Sequence, residues 1–256
     1  MRDRTTFDGR RAIVEIDDGN KIVYFDTYKL KKITGTRIGP ILGISEFSTP
    51  FKVACEIAGL YPGDKPNKYI EAGNVIEPVL RRYAAGKAGD ISGGIGCDSP
   101  VKVEEPVPAD KCGYDHFHNE KLFGGMVDGY VLANGSRKAI LEIKTSNSRE
   151  SWEDGSGGYT DVPMHYMLQA SLYAELSKLD KVVFLVGFLE ESDYTRPKQW
   201  VPDENNTFFV VKDKLDMSGY MKECADWYNE YVKQGFTPEW TEKDADVLKH
   251  LRAFRR

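Results

Sequence analysis

Residues 122–145 read LFGGMVDGYVLANGSRKAILEIKT. Two runs rich in Leu, Ile and Val, Leu122–Ala133 and Arg137–Thr145, flank the turn-forming Asn134-Gly135-Ser136, so the stretch predicts a β-hairpin. A three-residue loop centred on Gly135 would pair Ala133 with Arg137 and, further along, Asp128 with Glu142. Directly opposed residues share a sheet face, with Cβ atoms about 4.5–5.5 Å apart, and two carboxylates so placed repel unless a cation lies between them. Lys144 follows Glu142 by two residues and falls on the same face, while Ile143 points to the other, buried one. A two-residue Asn134-Gly135 turn would instead set Asp128 opposite Leu141 and split the carboxylates across the sheet. In an ordinary surface hairpin these three charges form the solvated face. Gly124 and Gly125, ahead of Asp128, permit close approach of another group and so favour a site.

Downstream of the hairpin, a Gly/Ser-rich loop, Ser146–Thr160, carries Trp152 and leads into a helix over 163–179. The apolar run Val182–Leu189 suits a buried strand and is too short to span a bilayer. A strand over 207–212 and helices over 215–234 and 241–254 finish the chain. Upstream, a helix over about 67–85 carries Glu77, and its Gly73 and Pro78 suggest a kink. Thr49-Pro50 marks the start of a helix to Gly59, and Thr36 is placed to cap a short helix through Leu42. Residues 11–26 read as a hairpin around Asp17-Asp18-Gly19-Asn20. Residues 86–120, rich in Gly, Pro and Asp, are expected to wrap the surface with one strand near Val101–Val107. This order predicts an α/β (α+β mixed) fold, a central mixed sheet flanked by helices. One domain over 1–256 is expected, with the N-terminal hairpin (about 1–30) and the C-terminal helices (about 215–254) as additions.

Of 256 residues, 41% are hydrophobic and 29% charged, which excludes collagen, coiled coil and wholesale disorder. The net charge of -5 argues against a protein that coats nucleic acid by charge alone. An enzyme acting on nucleic acid stays open, because divalent cations in a carboxylate site supply positive charge locally. Basic residues gather at Lys29, Lys31, Lys32 and Arg37 and again at Lys249, Arg252, Arg255 and Arg256, either of which also suits a solvated face. Four cysteines without a CxxC pair exclude a disulfide scaffold, a four-cysteine zinc ribbon and the clustered iron–sulfur spacings. Cys97, Cys112, His116 and His118 form one loose group, spaced more widely than structural zinc sites favour, and read more simply as a polar loop. The opening Met1-Arg2-Asp3-Arg4 has no apolar signal core, so a cytoplasmic location with no membrane partner is expected.

Gly125-Met126-Val127-Asp128-Gly129 followed by Glu142-Ile143-Lys144-Thr145 resembles the PD-(D/E)xK nuclease signature. More narrowly, the chain resembles the phage lambda-type exonucleases, the YqaJ-like viral recombinases. Ile33-Thr34-Gly35-Thr36-Arg37 resembles that family's N-terminal element, Gly73-Asn74-Val75-Ile76-Glu77-Pro78 its helix-borne glutamate, and His165-Tyr166-Met167-Leu168-Gln169 the helix carrying its glutamine. The resemblance covers about residues 31–190 and implies a restriction-endonuclease-like core. It implies catalytic roles for Glu77, Asp128, Glu142, Lys144 and Gln169. Mg²⁺, with Mn²⁺ able to substitute and two ions in all, would be held by Asp128, Glu142 and the main-chain carbonyl of Ile143, with Glu77 reaching it through water. Thr36, Arg37, Lys29, Lys31 and Lys32 are placed by position as a DNA 5′-phosphate pocket. The implied substrate is double-stranded DNA ends, the implied partner a single-strand annealing protein, and the implied form a homotrimer in a bacterial host. An endonuclease on the same fold and a non-catalytic DNA-end-binding module are the alternatives.

Overall fold

The computed structural model describes residues 3–7, 10–63, 65–155, 158–159 and 161–253. In chain order the strands are β1 (Asp3–Phe7), β2 (Arg10–Asp17), β3 (Ile22–Tyr24), β4 (Ile33–Thr34), β5 (Val101–Glu104), β6 (Phe123–Gly124), β7 (Gly129–Ala133), β8 (Ser136–Ser146), β9 (Lys181–Phe188) and β10 (Thr207–Asp213). The α-helices are α1 (Gly35–Ile41), α2 (Pro50–Ile57), α3 (Lys68–Gly86), α4 (Ala88–Gly94), α5 (Met164–Leu176), α6 (Glu191–Thr195), α7 (Ser218–Glu230) and α8 (Ala245–Ala253). They fall into two compact units. One takes Met1–Asp64, Asn119–Gly124 and Ser218–Arg256, the other Lys65–His118 and Gly125–Met217.

In the first unit the expected hairpin is present as β2 and β3, and β1 adds a third antiparallel strand that alternation alone did not reveal. The short β4 pairs in parallel with β6. Thr49 caps α2 as its sequence predicts, accepting from the Lys52 N–H, and Pro50 follows where a missing N–H costs nothing. The N-cap of α1 is Thr34 rather than Thr36, which lies inside the helix with its hydroxyl 3.1 Å from that of Thr34. The terminal helices are shorter than expected, because 3₁₀ turns at Val232–Gln234 and Glu242–Asp244 take up part of each predicted span.

The second unit is built on a five-stranded mixed sheet in the order β10-β9-β8-β7-β5. Only β8 and β9 run parallel, and α5 makes the crossover between them. Residues Val182–Val186 of β9 are wholly buried, as a strand covered on both faces requires. On one face Ala72, Ile76 and Leu80 of α3 pack with Leu141 and Ile143 of β8 and Val183 and Leu185 of β9. The helix runs unbroken through Pro78, its N-terminus capped by Asn67. α5 lies on the opposite face and is buried all round over Met167–Ala174. Two expectations are corrected. Residues 86–120 hold a helix, α4, beside a strand confined to Val101–Glu104. The run 122–133 is not one strand, since 125–128 leave the ladder between β6 and β7.

Candidate active site

The turn of the central hairpin is the two-residue one. Ala133 pairs with Ser136, and Asn134 and Gly135 both have positive φ, 51° and 73°, the left-handed pair a type I′ turn needs. That turn alone would set Asp128 against Leu141. A β-bulge restores the alignment: Leu132 pairs with Arg137 and Val131 with Ala139, so Lys138 is the extra residue. Beyond it Gly129 pairs with Leu141, and the next step along brings Asp128 level with Glu142. The turn is thus one residue shorter than the three-residue loop expected, and the carboxylates come level because the single extra residue of the bulge makes up the difference.

Asp128 stands one residue before β7, and its Oδ2 accepts the Ile143 N–H at 2.8 Å. A strand residue's N–H and C=O point to the same edge, so the Ile143 carbonyl faces the same gap. Glu142 is fully buried, and its Oε1 accepts from Lys144 Nζ and from Gln169 Nε2, each at 2.6 Å. Gln169 Oε1 lies 3.4 Å from the Lys144 ammonium, so the amide bridges both charged groups. The other oxygen of Glu142, Oε2, is buried and accepts no hydrogen bond among the described residues. Such a group costs about 1–3 kcal/mol.

The electrostatics agree with a charge deficit. Burial pushes the Glu142 carboxyl up to about 8, against the pull of Lys144 and with Asp128 and Glu77 adding to it. Burial likewise raises Asp128, opposed by Lys144, the Ile143 N–H, Arg81 and His116. Glu77, on α3, is raised by burial and by Asp128. Burial alone would pull Lys144 down, but Glu142 and Asp128 hold it above its ordinary value. Hard oxygen donors, an unpartnered buried oxygen and three neighbouring carboxyls whose charged forms burial disfavours together fit a divalent cation. Among the described residues no three His, Cys, Asp or Glu side chains yet close around one point, and Lys144 supplies the counter-charge to Glu142.

Several contributors are invisible to strand alternation. Arg81, one helical turn after Glu77, pairs with its carboxylate and donates Nε to the Asp128 carbonyl at 2.7 Å. The spacing of four on a helix was the available signal. Lys144 Nζ lies 4.8 Å from the centre of the Tyr166 ring, which stacks on Trp152 at 5.6 Å. Trp152, 1% exposed, thus anchors the Gly/Ser loop beneath the site. The close approach that glycine permits is made by Tyr173: a Cβ on Gly125, at φ 140°, would lie 2.6 Å from its ring.

The loose Cys/His group does not assemble. His116 Nδ1 accepts from the Val127 N–H at 3.1 Å and Nε2 faces the Val107 carbonyl at 2.8 Å, so both ring nitrogens are engaged by main chain. Cys112 packs against Met126, and all four cysteines are free thiols. The proposed phosphate group lies in the first unit. Lys29, Lys31 and Thr36 are exposed there, whereas Lys32 and Arg37 are half-buried, and Arg37 binds the Lys32 carbonyl at 2.6 Å and faces Glu56 at 3.7 Å. In the second basic group Arg252 pairs with Asp18, and Arg255 and Arg256 fall outside the described residues. No described helix is long and apolar enough to cross a membrane.

Comparison with known proteins adds three kinds of likeness. An uncharacterized protein of Mycoplasma genitalium, MG373, is 28% identical over 90% of this chain and 93% of its own. Its Mycoplasma pneumoniae homolog is 27% identical over 88% and 90%. Among solved structures, the alkaline exonuclease LHK-Exo of Laribacter hongkongensis superposes with a TM-score of 0.55 at 16% identity, over 88% of this chain and 94% of that one. Its complex with dAMP gives the same TM-score over 89% and 95%. At that identity the likeness is one of fold. The sequence pattern of the YqaJ-like viral recombinase domain matches residues 24–180, more than half of the length, and the chain belongs to that family.

Proposed function

We propose that the protein is a Mg²⁺-dependent exonuclease that hydrolyses one strand of linear double-stranded DNA from its 5′ end. It releases 5′-mononucleotides and leaves a 3′ single-stranded overhang for phage-type recombination. The observation that carries this reading is the meeting of half-buried Asp128 and Lys144 with the fully buried Glu142, one of whose oxygens is unpartnered among the described residues. Asp128, Glu142 and the Ile143 carbonyl would hold Mg²⁺ or Mn²⁺, in a two-ion site as the family resemblance implies, and Glu77 would reach it through water. When bound, such ions polarise the phosphoryl oxygen and offset its charge. Lys144 orients the attacking water or stabilises charge developing on the phosphate. Gln169 fixes Lys144 and Glu142 relative to each other. A bond forms from the water oxygen to phosphorus and the P–O3′ bond breaks, with the proton the water gives up balanced by the one the leaving O3′ takes on. The released nucleotide departs with a 3′-hydroxyl and the 5′-phosphate it already carried, and the attacked phosphate becomes the new 5′ end of the strand. The fold-mate named an alkaline exonuclease, solved with dAMP, supports this choice over other chemistries. The same reading carries a homotrimer as the working form and a single-strand annealing protein as the partner that takes the overhang.

The test is linear double-stranded DNA with 5′-phosphates, incubated with Mg²⁺ and sized over time. Mononucleotides from the earliest points are expected. Discrete internal fragments would mean an endonuclease, and unchanged DNA a binding module without catalysis.

A further inference from the structure

Residues 125–128 deliver Asp128 to the site yet belong to no strand. Side chains take over the hydrogen bonds a sheet neighbour would make. Asp115 accepts from the Gly125 N–H at 3.0 Å, and the His116 ring accepts from the Val127 N–H at 3.1 Å. Arg81 donates Nε to the Asp128 carbonyl at 2.7 Å. Its guanidinium, 14% exposed, also donates through one Nη to the Glu77 carboxylate and through the other to Glu105 at 3.2 Å. Asp128 is therefore held at its carbonyl by α3 and at its carboxylate by the Ile143 N–H of β8. The same guanidinium holds Glu77.

We propose that Arg81 is a positioning residue that ties Asp128 and Glu77, carried on different elements, into one pre-set group of metal-binding oxygens. This rests on the metal-dependent reading above. Nothing in the proposal requires Arg81 to touch DNA. Its planar fork reaches a main-chain carbonyl and a carboxylate together, which a lysine ammonium at the end of a flexible stem does not. Glu105, 77% exposed at the outer edge, only completes the fork.

The experiment is calorimetric titration of Mn²⁺ into metal-free wild type, Arg81→Lys and Glu105→Ala, each checked for folding by circular dichroism, with cleavage of linear DNA followed in parallel. Arg81→Lys keeps charge and bulk, and Arg81→Gln stands in should it fail to fold. Mn²⁺ affinity is expected to fall about 10- to 100-fold in the Arg81 variant, the usual effect of losing a partner behind the ligands. Cleavage should recover as Mn²⁺ is raised, with KM for DNA unmoved, while Glu105→Ala binds Mn²⁺ as wild type does. Wild-type Mn²⁺ affinity in a folded Arg81→Lys, with wild type binding and cleaving, overturns this inference alone. Wild type that neither binds Mn²⁺ nor cleaves overturns the metal-dependent reading and this inference with it.

Discussion

Glu142 is fully buried, shared by Lys144 and Gln169 through one oxygen and unpartnered at the other among the described residues. Its carboxyl binds a proton more tightly in the folded chain than in the unfolded one. Folding therefore takes up a proton between the ordinary carboxyl range and about 8, and metal-free stability declines as pH rises through that window. A bound cation replaces the proton. The gain in Tm on adding Mg²⁺ should thus grow from pH 5 to pH 8 in thermal melts, and a gain independent of pH would contradict it. Lys144 has a different task. Lys144→Ala should lose turnover by about 10²–10³-fold, the scale of one lost charge-stabilising donor, yet still bind Mn²⁺. Asp128→Ala should lose Mn²⁺ affinity along with turnover. Single-turnover cleavage beside calorimetry separates the two, and wild-type turnover by Lys144→Ala would reduce it to a neighbour that balances charge. Glu142 and Lys144 were legible as sharing one strand face because alternation is a local rule, whereas Asp128, outside the strands, comes level with Glu142 only through a bulge. The hold of Arg81 on Asp128 and of His116 on Val127 was not legible, since these partners are main-chain atoms of a segment that only the folded chain brings near.

At the scale of elements, the central hairpin carries the lesson. Its turn sequence, Asn134-Gly135, is a strong signal for a two-residue turn, but a bulge leaves almost no mark in sequence, because any exposed residue can be the extra one. Lys138 is such a residue. Deleting it should remove the bulge and leave Val131 against Ala139, so cleavage should persist with stability changed by on the order of 1 kcal/mol. Abolished cleavage by a folded deletion variant would show that the bulge itself shapes the site. The Gly/Ser loop is tied to the core by Trp152, which stacks on Tyr166 and meets Phe184 and Phe208 edge-on. Trp152→Ala should cost about 3–5 kcal/mol in urea unfolding, as loss of a buried aromatic does. The buried strand β9 was plain from its apolar run, and α4 was hidden by its glycines, which lower helix propensity without forbidding a helix.

At the scale of the whole molecule, the family match over residues 24–180 takes in parts of both compact units. The oxygen-rich site lies within the second, and the basic group Lys29, Lys31, Lys32, Thr36 and Arg37 within the first. If that group receives a terminal phosphate, digestion should begin faster on 5′-phosphorylated than on 5′-hydroxyl ends. Equal initiation rates would remove the pocket and leave the chemistry untouched. Arg37 is already bound to the Lys32 carbonyl and faces Glu56, so the exposed Lys29 should matter more than Arg37. The central claim is that Glu142 holds a catalytic cation, and Glu142→Gln tests it most directly. Glutamine keeps the shape and removes the charge. Cleavage of linear double-stranded DNA in Mg²⁺ should fall by about three orders of magnitude, as loss of a cation worth several kcal/mol requires, in a protein whose circular dichroism is unchanged. A folded Glu142→Gln protein that cleaves at the wild-type rate, or wild-type cleavage that survives chelation, would contradict the account.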